Sequence, residues 1–192
     1  IYLHRYPERR WLEVTYPRGS DNAASVVKAP VNERVLTYAP GTKERDEVKA
    51  ALRDLHATQI EIPLVIGGRE VRTGVTAQCV IPHDHGHVLA TFHMAGPKEA
   101  QMAIDAALEA KKEWESLPWE HRASVFLKAA EILTGPWRAR VNAATMLGLS
   151  KTIFQAEIDA VCELADFFRF NAYSLMEIYA EQPQSTVDAW NR

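Results

Sequence analysis

The chain has 192 residues, of which 47% are hydrophobic and 24% charged, with a formal net charge of −3. This composition is typical of a globular protein with a substantial core, and it lacks the basic balance that nucleic-acid binding requires. The apolar runs are far shorter than a bilayer span, and Cys79 and Cys162 form neither a zinc motif nor a disulfide framework, so we expect a protein of a reducing compartment without membrane or metal partners.

The N-terminal third of the chain predicts an irregular start followed by one helix. Residues 1–30 are rich in Arg, Pro and Tyr, and Arg18–Ser25 has the composition of a flexible loop. Because the chain begins with Ile1 and not with Met, we expect its start to be incomplete. Thr42 can cap a helix of about a dozen residues, with Val48 on the inner side of a surface helix.

The next segment predicts a small antiparallel sheet. Apolar residues alternate over positions 60–66, which is typical of a half-buried strand, and a glycine pair follows as a turn. Strands at 79–81 and 88–92 should pair across a turn at Asp84–Gly86.

Helices are predicted for most of the remaining sequence. Gly96-Pro97 opens a helix with an apolar face that Pro118 ends, and a second helix is interrupted at Gly135-Pro136. A shorter piece runs to Gly148, which we interpret as its C-terminal cap. Residues 185–190 have the pattern of an opening strand without a partner.

The longest helix is predicted from Ser150 to about Tyr179, and two carboxylates fall near its apolar face. Thr152 and Gln155 have the spacing of a capping box. The predicted apolar face consists of Ile153, Ala160, Val161, Leu164, Phe168, Ala172, Leu175 and Tyr179.

With a rotation of about 100° per residue, Glu157 is predicted in the middle of that apolar face. A carboxylate without a partner is energetically costly there. Glu163 lies at its edge, whereas Asp159, Asp166 and Arg169 are predicted on the solvated side. Glu157 is either a structural carboxylate held by an Arg or backbone N–H groups, or a second substrate group.

The residues between these elements resemble those of the aldehyde dehydrogenases. Members share a Pro-x-x-x-Gly-x-Val-x-Ala hairpin, an Ala-rich helix that ends in Trp, and a Pro-x-x-x-Arg-Ala helix start. The matching residues are Pro82, Gly86, Val88, Ala90, Trp114, Pro118, Arg122 and Ala123. Gln155–Ala160 and Asp166–Asn171 further resemble the L-glutamate γ-semialdehyde dehydrogenases, also called Δ1-pyrroline-5-carboxylate dehydrogenases, although Ser150 stands where a Gly is expected.

The resemblance implies the α/β aldehyde dehydrogenase fold for the complete protein. Residues 31–192 would be the N-terminal part of its cofactor-binding domain, mostly α-helical with a small antiparallel hairpin sheet. It also implies NAD-dependent oxidation of L-glutamate γ-semialdehyde to L-glutamate in proline degradation, by a Cys nucleophile and a Glu-activated water. In the family, the position of Glu163 lies near the mouth of the substrate tunnel and helps to hold the substrate's amino group.

The resemblance also implies that the catalytic and cofactor-binding residues would follow Arg192, so we expect the isolated chain to be inactive. Cys162 has three acidic neighbours that raise the pKa of a thiol, and we interpret it and Cys79 as structural. We expect a homo-oligomer in the cytoplasm or, in a eukaryote, the mitochondrial matrix.

Three other hypotheses stay open at this point. His83, His85 and His87 alternate in the predicted turn and could suggest a metal site, since imidazole is a common ligand, but the turn itself explains their neighbours. The complete enzyme could oxidise a different aldehyde. Alternatively, the chain could be a non-catalytic helical interaction module.

Overall fold

A computed structural model describes residues 26–181 and 183–191, so the predicted loop at Arg18–Ser25 lies outside the described residues. The helices are α1 (Lys43–Ala57), α2 (Pro97–Ser116), α3 (Trp119–Thr134), α4 (Arg138–Leu149), α5 (Ile153–Ala156) and α6 (Glu163–Ala180). The strands are β1 (Ile60–Ile62), β2 (Leu64–Ile66), β3 (Arg69–Val71), β4 (Thr76–Ile81) and β5 (Asp84–His93). A π-helical segment, Glu157–Cys162, joins α5 to α6.

The single strand predicted over 60–66 is divided at Pro63, which has no N–H to donate to a ladder. On one side β1 pairs in parallel with β5, with Ile60 opposite Ala90. On the other side β2 pairs antiparallel with β3 across Gly67 and Gly68, which have φ of 57° and 74°. The larger sheet has the order β1-β5-β4, so the prediction of a purely antiparallel sheet was wrong for β1.

The β4–β5 hairpin turns earlier than predicted. Pro82 and His83 form the turn, and β5 begins at Asp84, which pairs with Ile81. The register then shifts, which places Asp84–Gly86 in an irregular part of the strand and not in the turn. A bulge of this kind accommodates extra residues between two regular stretches of ladder.

The helices enclose two small apolar clusters. The first joins α3 to the continuous helix formed by α5, the π-helical segment and α6, which we call the long helix. It consists of Ala130, Leu133, Val161 and Ala165. The second joins α1 and α4 to the segment that precedes α1, and it consists of Tyr38, Val48 and Ala143. The helix starts after Thr42 and Gly96 are where we predicted them, although the Thr42 hydroxyl donates to the Ala39 carbonyl (2.9 Å) and does not cap α1.

Two predicted surfaces differ from expectation. The apolar face of α2 is present but not covered by the described residues, since Ile104 and Leu108 are 53% and 60% exposed.

Residues 185–190 form a local turn, in which the N–H of Thr186 donates to the Ala189 carbonyl (2.9 Å), so the predicted strand opening was wrong. An extended segment has nothing to pair with at this point of the described chain.

The long predicted helix starts with its capping box as expected but is not α-helical throughout. In the π-helical segment the N–H of Glu163 donates to the carbonyl of Ile158, five residues earlier. The wider turn inserts an extra residue and rotates the face that follows. Leu164, predicted inside, is therefore 41% exposed, while its neighbour Ala165 is fully buried.

The end of α4 also corrects a prediction. Gly148 lies within the helix, and the residue with left-handed backbone is Ser150, at φ 54° and ψ 31°. Left-handed backbone costs a residue with a Cβ roughly 1–2 kcal/mol, and glycine avoids this cost. The Ser150 hydroxyl lies 2.6 Å from Nδ1 of His83, an exposed contact that offsets part of the strain.

We therefore expect Ser150→Gly to increase the free energy of unfolding of the 192-residue chain by about 0.5–1 kcal/mol. Urea denaturation followed by circular dichroism measures the change. His83→Ala, which removes the same side-chain contact without relieving the backbone, is the control and should change the value by less than about 0.5 kcal/mol. Destabilisation by Ser150→Gly would show that the hydroxyl contact outweighs the backbone strain.

Candidate functional site

Residues 31–38 run across the helices as an extended segment that belongs to neither sheet, and we call this segment the strap. A backbone that is not paired in a sheet needs other partners, and here helix side chains provide them. The bonds are Glu33 N–H to Asp166 Oδ1 (2.7 Å), Leu36 N–H to Glu157 Oε1 (2.9 Å) and Arg138 Nη2–H to the Arg34 carbonyl (2.7 Å). The helix layer thus fixes the path of the strap.

Glu157 is the centre of this arrangement and is completely buried. The Arg138 guanidinium donates to both carboxylate oxygens, while Tyr38 Oη (2.7 Å) and Asn142 Nδ2 (2.8 Å) donate to Oε2. Burial raises the pKa of Glu157, but the hydrogen bonds from Arg138 and the other donors lower it by a larger amount. The pKa of Glu157 therefore lies below its usual value. This geometry fits the structural interpretation of Glu157.

Charged side chains of alternating sign form a chain of ion pairs that starts at Glu157 and runs through Arg138 and Glu33 to Arg169. Arg138 Nη1 also donates to Glu33 (2.8 Å), whose other oxygen accepts from Arg169 Nη1 (2.6 Å). Burial raises the pKa of Glu33, but Arg138 and Arg169 together lower it below its usual value.

Arg169 and Asp166 both face the strap, so their prediction on the solvated side was wrong. The rotation by the π-helical segment and the presence of the strap explain the error.

Tyr38 is a residue of this cluster that the sequence did not reveal. It is 5% exposed and has φ of 52°, an uncommon backbone for a bulky residue. Its hydroxyl donates to Glu157, and its carbonyl accepts from Arg45 Nη1 (2.8 Å). Burial and the Glu157 carboxylate raise the pKa of Tyr38 above its usual value, so it remains a hydrogen-bond donor. Such strain persists only where surrounding contacts hold it.

A groove of about 470 Å³ opens between the strap and the long helix. Its lining residues are Asn32, Glu33, Val35, Ile158, Cys162, Glu163, Asp166, Phe167 and Phe170. Glu33 and Asp166 are already bound, by arginines and by the strap respectively. The Glu163 side chain, by contrast, is exposed, and its carboxylate forms no hydrogen bond or ion pair with any residue in the described part of the chain. Its carboxylate is therefore available to donors of a ligand.

The thiol in this groove is not an activated nucleophile. Cys162 is buried, and its Sγ lies 3.6 Å from Arg138 Nη2. Burial, and then the negative charge of Glu157, raise the pKa of Cys162 to about 11, so it is protonated at neutral pH. The direction agrees with the prediction, but the main cause is burial and the chief acidic neighbour is Glu157, not Asp159 or Glu163.

Two of the three alternating histidines, His83 and His87, contact different partners. His83 contacts Ser150, and the ring of His87 lies over that of His56, with centroids 4.0 Å apart. Across residues 26–181 and 183–191, no three or more His, Cys, Asp or Glu side chains are grouped to hold a metal ion. Within the same ranges no helix is both long and apolar enough to cross a membrane.

Comparison with known proteins assigns the chain to a family. Residues 71–191 match the model of the aldehyde dehydrogenase family. The chain belongs to the aldehyde dehydrogenase family, and the resemblance found in the sequence is confirmed. The matched range contains the hairpin and all the helices from α2 onward.

The similar proteins are Δ1-pyrroline-5-carboxylate dehydrogenases. The chain is 47% identical over 163 residues to that of Agaricus bisporus, covering 84% of this chain and 30% of the relative. It is 47% identical to the mitochondrial human protein over 160 residues, covering 83% and 28%. The crystal structure of the Mycobacterium tuberculosis protein bound with NAD has a TM-score of 0.84 and 45% identity, over 89% of this chain and 32% of that one. The chain thus spans about three tenths of the length of these proteins.

Removing the buried carboxylate should be strongly destabilising. In Glu157→Ala the Arg138 guanidinium would be left buried without its main partner, which typically costs about 3–5 kcal/mol. We expect a loss of this size in the free energy of unfolding of the 192-residue chain, measured with urea. Asp159→Asn, at an exposed carboxylate of the same helix, should change it by less than about 0.5 kcal/mol. A loss below about 1 kcal/mol in Glu157→Ala would contradict the account.

The lowered pKa values of Glu33 and Glu157 predict a pH dependence of stability. Carboxylates with a depressed folded pKa stabilise the fold above their ordinary pKa, near 4.5, and this stabilisation is lost as the pH falls through the folded pKa. The free energy of unfolding should therefore decrease below about pH 4.5. Urea titrations between neutral and acidic pH should show a steeper decrease in the unsubstituted chain than in Glu157→Gln; equal slopes would refute this assignment.

Proposed function

We propose that this chain is the N-terminal part of an NAD-dependent Δ1-pyrroline-5-carboxylate dehydrogenase. The complete enzyme would oxidise L-glutamate γ-semialdehyde to L-glutamate in proline degradation. The identities of 45–48% to proteins of this name in several organisms support the proposal, as does the structural likeness to the mycobacterial enzyme. Residues 31–192 would belong to the cofactor-binding domain, and the isolated chain would be inactive.

The observation that carries the proposal is the free carboxylate of Glu163. L-glutamate γ-semialdehyde has an ammonium group, which a carboxylate binds through short, charge-assisted hydrogen bonds. Three other acidic residues lie on or beneath the groove, and the contacts of Glu33, Glu157 and Asp166 are already made within the protein. We infer that Glu163 receives the substrate's ammonium group.

The remaining groove residues suit the rest of such a substrate. Ile158, Phe167 and Phe170 offer apolar surface to a short aliphatic chain. Arg138 and Arg169 are held by Glu157 and Glu33, so they are not available to the substrate carboxylate. We therefore expect the groups that bind this carboxylate to come from the part of the enzyme beyond these residues.

NAD would be bound elsewhere in the complete enzyme. The only glycine between a described strand and a described helix is Gly96, and its N–H already donates to Glu99 (2.9 Å). The Glu99 carboxylate at this helix start would repel a pyrophosphate, which binds where helix N-termini are open. This helix start therefore does not fit a pyrophosphate, and we assign no cofactor-binding residue in the described chain.

The assembly and the compartment are part of the same proposal. We expect a homo-oligomer, because part of the apolar surface of α2 is open in the described chain. The relatives from Dictyostelium discoideum, mouse and human are named as mitochondrial. A eukaryotic source would thus favour the mitochondrial matrix and a bacterial source the cytoplasm.

Glu163→Gln in the complete enzyme tests the assigned role. A hydrogen bond to a charged group typically contributes about 1.5–3 kcal/mol, so the KM for L-glutamate γ-semialdehyde should rise by roughly 10- to 100-fold. The KM for NAD and the turnover of a short aldehyde without an amino group should stay unchanged. Glu177→Gln, at an exposed carboxylate of the same helix, is the matched control. An unaltered preference for the amino-bearing aldehyde would favour an enzyme of different substrate range.

A further inference from the structure

The wall of the groove opposite the long helix is made by the strap, and one helix side chain, Asp166, binds the strap at its groove-lining residues Asn32 and Glu33. Asn32 and Glu33 line the groove, yet no ladder of either sheet holds them. Asp166 Oδ2 accepts from Asn32 Nδ2 (2.8 Å), and Oδ1 accepts from the N–H of Glu33 (2.7 Å). Both oxygens of one carboxylate thus bind two successive residues of the strap.

The other contacts of the strap leave this position dependent on Asp166. The next backbone N–H bound by a helix side chain is that of Leu36, which donates to Glu157, three residues farther along. The Glu33 side chain is held separately, by Arg138 and Arg169. The Arg34 carbonyl accepts from Arg138 Nη2 (2.7 Å), so loss of Asp166 would release the Asn32 side chain and the N–H of Glu33, while Arg34 and Leu36 stayed in place.

Asp166 lies three residues after Glu163, which places the two on neighbouring positions of the same helix. They have different contacts, because Glu163 is free among the described residues and Asp166 is bound through both oxygens. The two hydrogen bonds of Asp166 fix the position of its carboxylate against the strap. The role that we infer for Asp166 therefore acts through the strap.

We propose that Asp166 is a positioning residue for substrate: it holds Asn32 and Glu33 at the distance from Glu163 that the ammonium-bearing end of the substrate requires. This inference rests on the function proposed above. Displacements of about 1 Å at a binding site can cost up to 100-fold in rate, so a released wall should be measurable in the kinetics.

The test combines Asp166→Asn, Asn32→Ala and the double variant in the complete enzyme. Each single variant should raise the KM for L-glutamate γ-semialdehyde by roughly 3- to 10-fold with kcat within about twofold, because binding is weakened and chemistry is not. The double variant should be no worse than the more affected single variant, since both substitutions break one contact. Multiplicative effects would overturn the proposal, because they mean that the two residues act independently.

Hydrogen exchange separates positioning from general destabilisation. In Asp166→Ala, which removes both oxygens and therefore also the acceptor of the Glu33 N–H, the amide of Glu33 should exchange at least tenfold faster, while that of Leu36, bound to Glu157, should keep its protection. Uniformly faster exchange across the strap, or unchanged exchange at Glu33, would overturn the proposal. Asp159→Asn, at an exposed carboxylate paired with Lys151, is the matched control and should alter neither KM nor exchange.

The two hypotheses fail in different ways. If Glu163→Gln leaves the KM unchanged, the proposed role of Glu163 fails whatever Asp166 does. If Glu163→Gln raises the KM and Asp166→Asn does not, the substrate site stands and the positioning role of Asp166 is refuted.

Discussion

The ion pair between Glu157 and Arg138 is the interaction on which the rest of the structure depends. A buried carboxylate is tolerated only with full compensation, and here one guanidinium, one hydroxyl, one amide and one backbone N–H supply it. The partners come from the strap and α4, and Glu157 itself lies in the π-helical segment, so satisfying one charge brings three separate parts of the chain together. A pair of this kind contributes little net stability compared with an apolar core, but it allows few alternative arrangements.

The π-helical segment connects the buried ion pair of Glu157 to the groove at Glu163. Glu157 opens the segment and points into the protein, whereas Glu163 follows it and remains exposed at the groove. One continuous element thus places a structural carboxylate inside and, six positions later, an exposed carboxylate without a partner among the described residues. Such segments occur frequently at functional sites, and their cost is offset here by the contacts of Glu157.

The sequence predicted the elements more accurately than their relations. Helix starts and stops marked by Pro, Gly or a capping box were found close to their true places, because these signals are local. Pairing β1 in parallel with β5 depends on residues about 30 positions apart, and no local pattern encodes it. Helical spacing also assumes a constant turn, so the prediction was wrong for Leu164, Asp166 and Arg169, although Val161 and Ala172 are buried as predicted. Glu157 was recognised as an out-of-place charge, but its partners in the strap could not be read from spacing.

The central claim is that Glu33, Glu157 and Asp166 make their contacts within the protein, whereas the Glu163 carboxylate, which has no partner among the described residues, receives the substrate. The most direct measurement is a crystal structure of the complete enzyme with L-glutamate, the expected product, bound. The account predicts the product's ammonium nitrogen about 2.7–2.9 Å from a Glu163 oxygen, with Asp166 still bound to Asn32 and Glu33. An ammonium group bound by Asp166 or Glu33, or one bound away from this groove, would contradict it.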